Sequence, residues 1–395
     1  MEVNYMAFDI MEQFNPNARA IRPTRVRYYS EQVAPGGFDL AIGDLRPPEF
    51  YTPAHIRAAA VQALERGETY YPPVRGIAPL RTAIAEKYQG QGLPTVSENI
   101  LVTTGATEAL FCAVMSVIHP GDEVLVPDPA HDIYLPMLSL AQAVPVPYYC
   151  GIETGYLPDP DEIRRLVGPR TRALWLNTPY SPTGQVMGSE VTQALVQIAE
   201  SHGLWLLADE TYDRYVFDGA KHTSFLTYNA VADRVLVASA FSKSYAMTGW
   251  RIGYLVGPPE AIEVAAHVHR NVVSGVNTLA QWAGIAALKG DQSCVDGFVQ
   301  ALSESRRIVI NAVKQMKGVR TVEPQGTFYL YLHVQGTGFP ADQLADQLVA
   351  RGIATVPGSN WGTRHAEDYL RLSFSHQSEY MVRAMRAMQD ALPLA

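Results

Sequence analysis

The sequence predicts an α/β protein: a mainly parallel sheet of seven strands covered by helices, with a smaller α+β domain attached. Three observations carry that expectation. Short apolar runs recur at 100–104, 123–127, 144–147, 173–177, 204–208, 235–238 and 252–256. Most are continuous rather than alternating, the pattern of strands buried on both faces. Amphipathic stretches such as 107–118 and 191–201 fill the gaps, and strand–helix alternation favours parallel pairing. Beyond about Gly290 the texture shifts to long helical patterns and isolated strands.

Taken in order, residues 1 to about 38 read as a loosely patterned arm ending in the turn Ala34-Pro-Gly-Gly37. A short strand over 38–42 leads into Gly43 and a Pro-rich loop. Helices are expected over 54–66, with Gly67 as its stop, and over 77–89, with the loop Tyr70-Tyr-Pro-Pro-Val-Arg-Gly76 between them. The seven runs and their helices follow. A helix over 294–316, another over 341–351, strands over 352–357 and 369–374, and a last helix over 378–392 complete the chain. The expected division is a large domain over 43–290, and a small domain made of 1–42 and 291–395.

Composition narrows the function classes. Hydrophobic residues make up 47% of the 395 positions and charged residues 18%, enough for a sizeable core. The net charge of −8, with no Lys/Arg run, excludes a nucleic-acid-tracking surface. The cysteines (Cys112, Cys150, Cys294) have no metal-site or disulfide spacing. No run is long and apolar enough to span a bilayer, and residues 1–10 show no secretory pattern, so a soluble cytoplasmic protein is expected.

Four groups carry the chemistry, each at or just after an expected strand. Lys243 follows the run 235–238 within Ser242-Lys-Ser-Tyr-Ala-Met-Thr-Gly-Trp-Arg251, where Arg251 and Ser242 suit a phosphate. A lysine buried beside other cations loses its proton readily enough to form a Schiff base, whereas most lysines are solvated. Thr104-Gly-Ala-Thr-Glu108 turns from strand into helix, and such a helix start offers free N–H groups to an anion. Taken alone, a plain N-cap explains it equally well. Asp209 ends an apolar run, where a carboxylate needs a cation or serves as a cap, and Tyr212 follows it closely. Arg371 sits between Leu370 and Leu372 in an apolar strand; it calls for a carboxylate, either a substrate's or an internal partner's.

Together, these segments resemble the class I/II aminotransferases, pyridoxal-phosphate enzymes of fold type I. The resemblance runs from about Leu40 to Phe374 and rests on Ser242–Tyr254, Ala208-Asp-Glu-Thr-Tyr212, Asn177-Thr-Pro-Tyr-Ser-Pro-Thr-Gly184, Val356-Pro-Gly-Ser359 and the Arg371 strand. It implies pyridoxal 5′-phosphate as cofactor and amino transfer between an L-amino acid and a 2-oxo acid. Lys243 would be the Schiff-base lysine and proton carrier, Asp209 the partner of the ring nitrogen and Tyr212 that of the ring oxygen. Gly105, Ala106, Thr107, Ser242 and Arg251 would hold the phosphate, with Asn177 also in the cofactor site. Arg371 and Gly43 would receive the substrate. Tyr71 (or Tyr70) would reach the phosphate from a partner subunit, which implies a homodimer with shared active sites.

Two positions depart from the family pattern. Ser181 stands where Asn usually precedes Pro-Thr-Gly, and His131 where an aromatic usually lies on the cofactor ring. They motivate an alternative: elimination, replacement or cyclisation on the same cofactor, since fold does not choose the reaction. The segment 272–277 has no arginine of the kind dicarboxylate-specific relatives often carry, which disfavours a dicarboxylate-only enzyme. Tyr134, Tyr180 and Trp361 are candidate walls for a large side chain, or core.

Overall fold

The structure is a computed structural model and describes residues 13–392. Residues 1–12, which hold the stretch read for a leader, and 393–395 lie outside the described residues.

Strand β1 (Phe38–Asp39) is shorter than the run 38–42 suggested, because the chain turns to serve two other strands. Its neighbour Leu40 accepts from Ser373, and Ala41 accepts from Arg371. The large sheet follows: β2 (Ile100–Thr103), β3 (Glu123–Asp128), β4 (Val144–Tyr149), β5 (Thr171–Asn177), β6 (Trp205–Asp209), β7 (Val235–Ala240) and β8 (Gly253–Val256). All seven coincide with the apolar runs. Their order is β2-β8-β7-β6-β5-β3-β4. Every pairing is parallel except those of β8, which runs against both β2 and β7.

The small sheet holds β9 (Tyr329–His333), β11 (Val356–Pro357) and β12 (Tyr369–Ser373), in the antiparallel order β11-β12-β9; β10 (Ile353–Ala354) pairs in parallel with β1. The expected single strand over 352–357 is thus two short ones in different sheets. β9 has no counterpart among the assigned runs. Its burial is complete, so Tyr and His stand inside where alternation would normally put polar groups in water.

Helices form where sequence signals place them. The helix Thr278–Lys289 starts at Asn277, whose side chain accepts from Ala280 N at 3.1 Å. The helix Ser189–His202 ends at Gly203 in the left-handed conformation. The arm contains two helices that its loose patterning concealed, Pro16–Arg19 and Arg25–Glu31, the second capped by Thr24. Three core clusters line the faces of the large sheet, and a fourth joins β9, β12 and the helices Ser293–Val313 and Ser378–Ala391. No helix among the described residues is long and apolar enough to cross a membrane.

Candidate active site

One edge of the large sheet collects the functional side chains. Asn177 and Asp209 end β5 and β6 and pair with each other in register. Lys243 follows the end of β7, Gly105 the end of β2, and Arg251 precedes the antiparallel β8, which starts where its neighbours finish. Ligands of open α/β sheets sit at this carboxyl edge.

Asp209 is buried, and its carboxylate accepts three hydrogen bonds. Oδ1 receives Thr211 N at 3.1 Å and Thr211 Oγ1 at 2.6 Å; Oδ2 receives the Tyr134 hydroxyl at 2.8 Å. The Thr211 bonds make it a local cap as well. Among the described residues, no Lys, Arg or His nitrogen lies within ion-pair distance of it. Tyr134 is wholly buried and stacked on Trp175, ring centroids 4.3 Å apart. It is therefore a brace for Asp209, not a wall for a substrate. Tyr180 is equally buried and donates to Pro129 O, so it too belongs to the core.

Asn177 braces the next loop. Its Nδ2 donates to Asp209 O at 2.8 Å and its Oδ1 accepts from Ser181 N at 2.7 Å. The Ser181 hydroxyl is buried with no partner among the described residues, an unusual state for a polar atom.

The helix Gly105–Val117 begins without a side-chain cap, which leaves its first N–H groups open. Glu108 turns back to accept from Thr104 N at 2.5 Å and also meets the buried His269 Nδ1 at 2.8 Å, pinning the turn. Arg251 arches over it with a positive φ of 52°, donating to Thr248 O at 3.1 Å. A Cβ at Gly105 would press on Arg251 Nη2 at 2.7 Å, and one at Gly253 on Ala106 N at 2.8 Å. Gly105, Ala106 N and the guanidinium thus lie close together at the helix start. Ser242 is buried in the turn beside it.

Lys243 Nζ donates to Gly43 O at 2.7 Å and lies over the rings of Phe328 and Tyr212, 5.5 and 5.9 Å from their centroids. Gly43 is required because any Cβ there would run into the Tyr329 ring. Tyr212 donates to the Tyr329 hydroxyl at 3.2 Å. Burial, reinforced by Tyr329, pushes its phenol well above its usual value.

Arg371 is 2% exposed and has no carboxylate within ion-pair distance among the described residues. Its guanidinium is sandwiched between Trp361 and Tyr329, 4.2 and 4.3 Å from their centroids, and Nε has no partner. Burial lowers its pKa, with the nearby phenols of Tyr329 and Tyr212 opposing. His131 faces Trp361, its ring centroid 6.0 Å away. Tyr71 is 89% exposed and Tyr70 is 66% exposed.

The sequence profile of "Aminotransferase class I and II" matches residues 35–388. The chain belongs to the class I and II aminotransferases. This aminotransferase is 33% identical over 376 residues to an aspartate aminotransferase of Pyrococcus horikoshii, covering 94% of this chain and 95% of that one. It is 35% identical to an aspartate/prephenate aminotransferase of Thermus thermophilus, covering 90% and 92%. The solved structure of a Thermus thermophilus aspartate aminotransferase with maleate superposes with a TM-score of 0.88 at 32% identity, over 96% of this chain and 99% of that one. The fold is therefore fold type I, and the enzyme transfers amino groups.

The residues that sequence reasoning passed over are Thr211, Tyr329 and the bracing role of Tyr134. Tyr329 carried a usable signal: Gly43 marks a close approach, although its neighbour cannot be named from sequence.

Proposed function

We propose that this aminotransferase works with pyridoxal 5′-phosphate, between an L-amino acid and a 2-oxo acid, with Lys243 as its catalytic lysine. The observation that carries the reading is the buried Arg371 guanidinium, which has two aromatic rings against it but, among the described residues, no carboxylate at ion-pair distance. A buried cation in that state calls for an anionic ligand. The other groups fit the cofactor: an open helix start with Arg251 for a phosphate and, among the described residues, Asp209 without a cationic partner and Ser181 Oγ without any partner.

When bound, the cofactor supplies an electron sink for the charge left at the substrate α-carbon. Arg371 grips the α-carboxylate and fixes the orientation of that carbon. Asp209, held by Tyr134 and Thr211, would present its carboxylate to the ring nitrogen. The Lys243 amine takes the α-proton and later returns one. Tyr212, with its raised pKa, stays a phenol and donates to the ring oxygen. Gly105, Ala106, Thr107, Ser242 and Arg251 receive the phosphate, and Asn177 holds the Ser181 loop in place.

The same reading includes a homodimer in which Tyr71, or Tyr70, completes the partner's phosphate cradle. Both are exposed. It also divides the chain into a large domain over 43–290 and a small one from 1–42 and 291–395.

The test is a half-reaction. The cofactor-loaded enzyme is mixed with amino acids in the absence of any 2-oxo acid, and its absorbance is followed. Conversion to the aminated cofactor is expected, and Lys243→Ala should abolish it. Release of ammonia from the substrate without that conversion would instead establish elimination.

A further inference from the structure

A cavity of about 590 Å³ opens beside Arg371, lined in part by His131, Asp132, Trp361, Thr24 and Asn360. It shares a wall with the α-carboxylate site, because Trp361 stacks on Arg371 and also lines the cavity. A substrate held by Arg371 would extend its side chain here, so the charges in this space decide which side chain is accepted.

Four charged groups line it besides His131: Asp132, Asp342, Arg25 and Arg22. Arg25 is neutralised by direct contact with Asp342 and also meets the Tyr29 hydroxyl. Arg22 is exposed at the rim. Asp132 differs from all of these. Its side chain is only 17% exposed, and among the described residues no Arg or Lys lies within ion-pair distance of it. The His131 ring lies against it, Nδ1 to Oδ1 at 3.1 Å. Burial alone would raise its pKa, but His131, the Thr24 hydroxyl and Arg371 outweigh this and keep it ionised. The cavity therefore presents a carboxylate with no Arg or Lys at ion-pair distance among the described residues, near a guanidinium with no carboxylate at that distance; the two act on each other only across a gap.

We propose that Asp132 is a specificity-determining residue that selects amino acids whose side chains end in a cation, such as ornithine, lysine or arginine. This rests on the reading of Arg371 as the α-carboxylate site. A substrate with a cation at its far end gives each of these two groups a direct ion-pair partner, whereas a distal carboxylate would face Asp132 and be repelled.

The experiment compares kcat/KM of the cofactor-loaded enzyme for L-ornithine and L-lysine with that for L-norleucine, a neutral chain of similar length, and for L-aspartate. A preference of about ten- to a hundredfold for the cationic chains is expected, the range of a hydrogen bond to a charged group. Asp132→Asn should bring the ratio of ornithine to norleucine close to one. Asp132→Lys should turn the preference towards aspartate, which a merely structural role of Asp132 would not do. Norleucine or aspartate matching ornithine in the wild type would overturn the proposal, as would Asp132→Asn lowering all substrates equally. Should no amino acid aminate the cofactor, the amino-transfer reading fails instead. Dissociation constants of the α-methyl analogues of ornithine and norleucine then decide this proposal, with tighter binding of the former supporting it and equal binding overturning it.

Discussion

Arg371 and Arg251 are the two arginines proposed to receive an anion, and the protein treats them in opposite ways. Arg371 is sealed in a strand of the small sheet, held between two aromatic rings and stripped of water. Arg251 lies in a loop on the edge of the large sheet, half-open to solvent and aimed by its left-handed backbone. A dry cation discriminates strongly because any wrong ligand leaves it unsatisfied. A wet one adds affinity and screens easily. The buried arginine suits the ligand that must be told apart from others, and the exposed one the ligand that needs only to be kept.

The sharpest way to break this contrast is Arg371→Met. We expect kcat/KM for amino acids to fall by roughly 30- to several-thousandfold, corresponding to about 2–5 kcal/mol for losing a buried charged contact. Cofactor affinity should be nearly unchanged. The same variant should raise the thermal midpoint of the cofactor-free protein, since an unpaired buried cation gives way to an apolar chain. Calorimetry showing a lower midpoint would contradict the account of Arg371 as unsatisfied.

Arg251→Gln should act on the other partner. Cofactor affinity should drop about ten- to a hundredfold, from about 1.5–3 kcal/mol of charge-assisted bonding. Its dependence on salt should flatten, which equilibrium dialysis at two ionic strengths would detect. Substrate binding at saturating cofactor should hardly move.

Tyr134→Phe removes one of the donors to Asp209 and leaves its charge in place. A severalfold fall in kcat is expected, matching about 1 kcal/mol for a single hydrogen bond. The smallest effect belongs to Tyr212. Its phenol is raised well above the usual value near 10, so it stays protonated throughout the working range. The alkaline limb of the pH–rate profile should keep its position in Tyr212→Phe; a shift would mean that Tyr212 titrates there.

Much of this contrast was legible in the sequence, and the reason lies in strand burial. The large-sheet strands are shielded on both faces, so each is written as an unbroken apolar run that stands out from its surroundings. Their ends could therefore be found, and with them Lys243, Asp209 and Arg251. Strand direction leaves no such mark, so the reversal of β8 had no sequence signature. β9 was passed over because its tyrosines and histidine look half-exposed yet are buried against other aromatic rings, Tyr212, Tyr156 and Tyr369. Tyr134 and Tyr180 carried the composition of a pocket wall, but only the fold reveals that they face inward. Asp132, next to His131 in the chain, reads as an ordinary loop acid until the arm residues 22–25 close over it.

The reversed strand β8 also bears on how the chain is made. It lies between β2 and β7, so the strand at 100–103 gains its inner neighbour only after residue 256 has been synthesised. Until then β2 is an open edge. Arg371 comes later still, on a strand whose pairings need both the arm and the chain beyond Gly352. On the ribosome the turn at Gly105 and Arg251 can therefore meet more than a hundred residues before Arg371 is made. A nascent chain passes through a stage at which one of the two arginines is in place and the other does not yet exist.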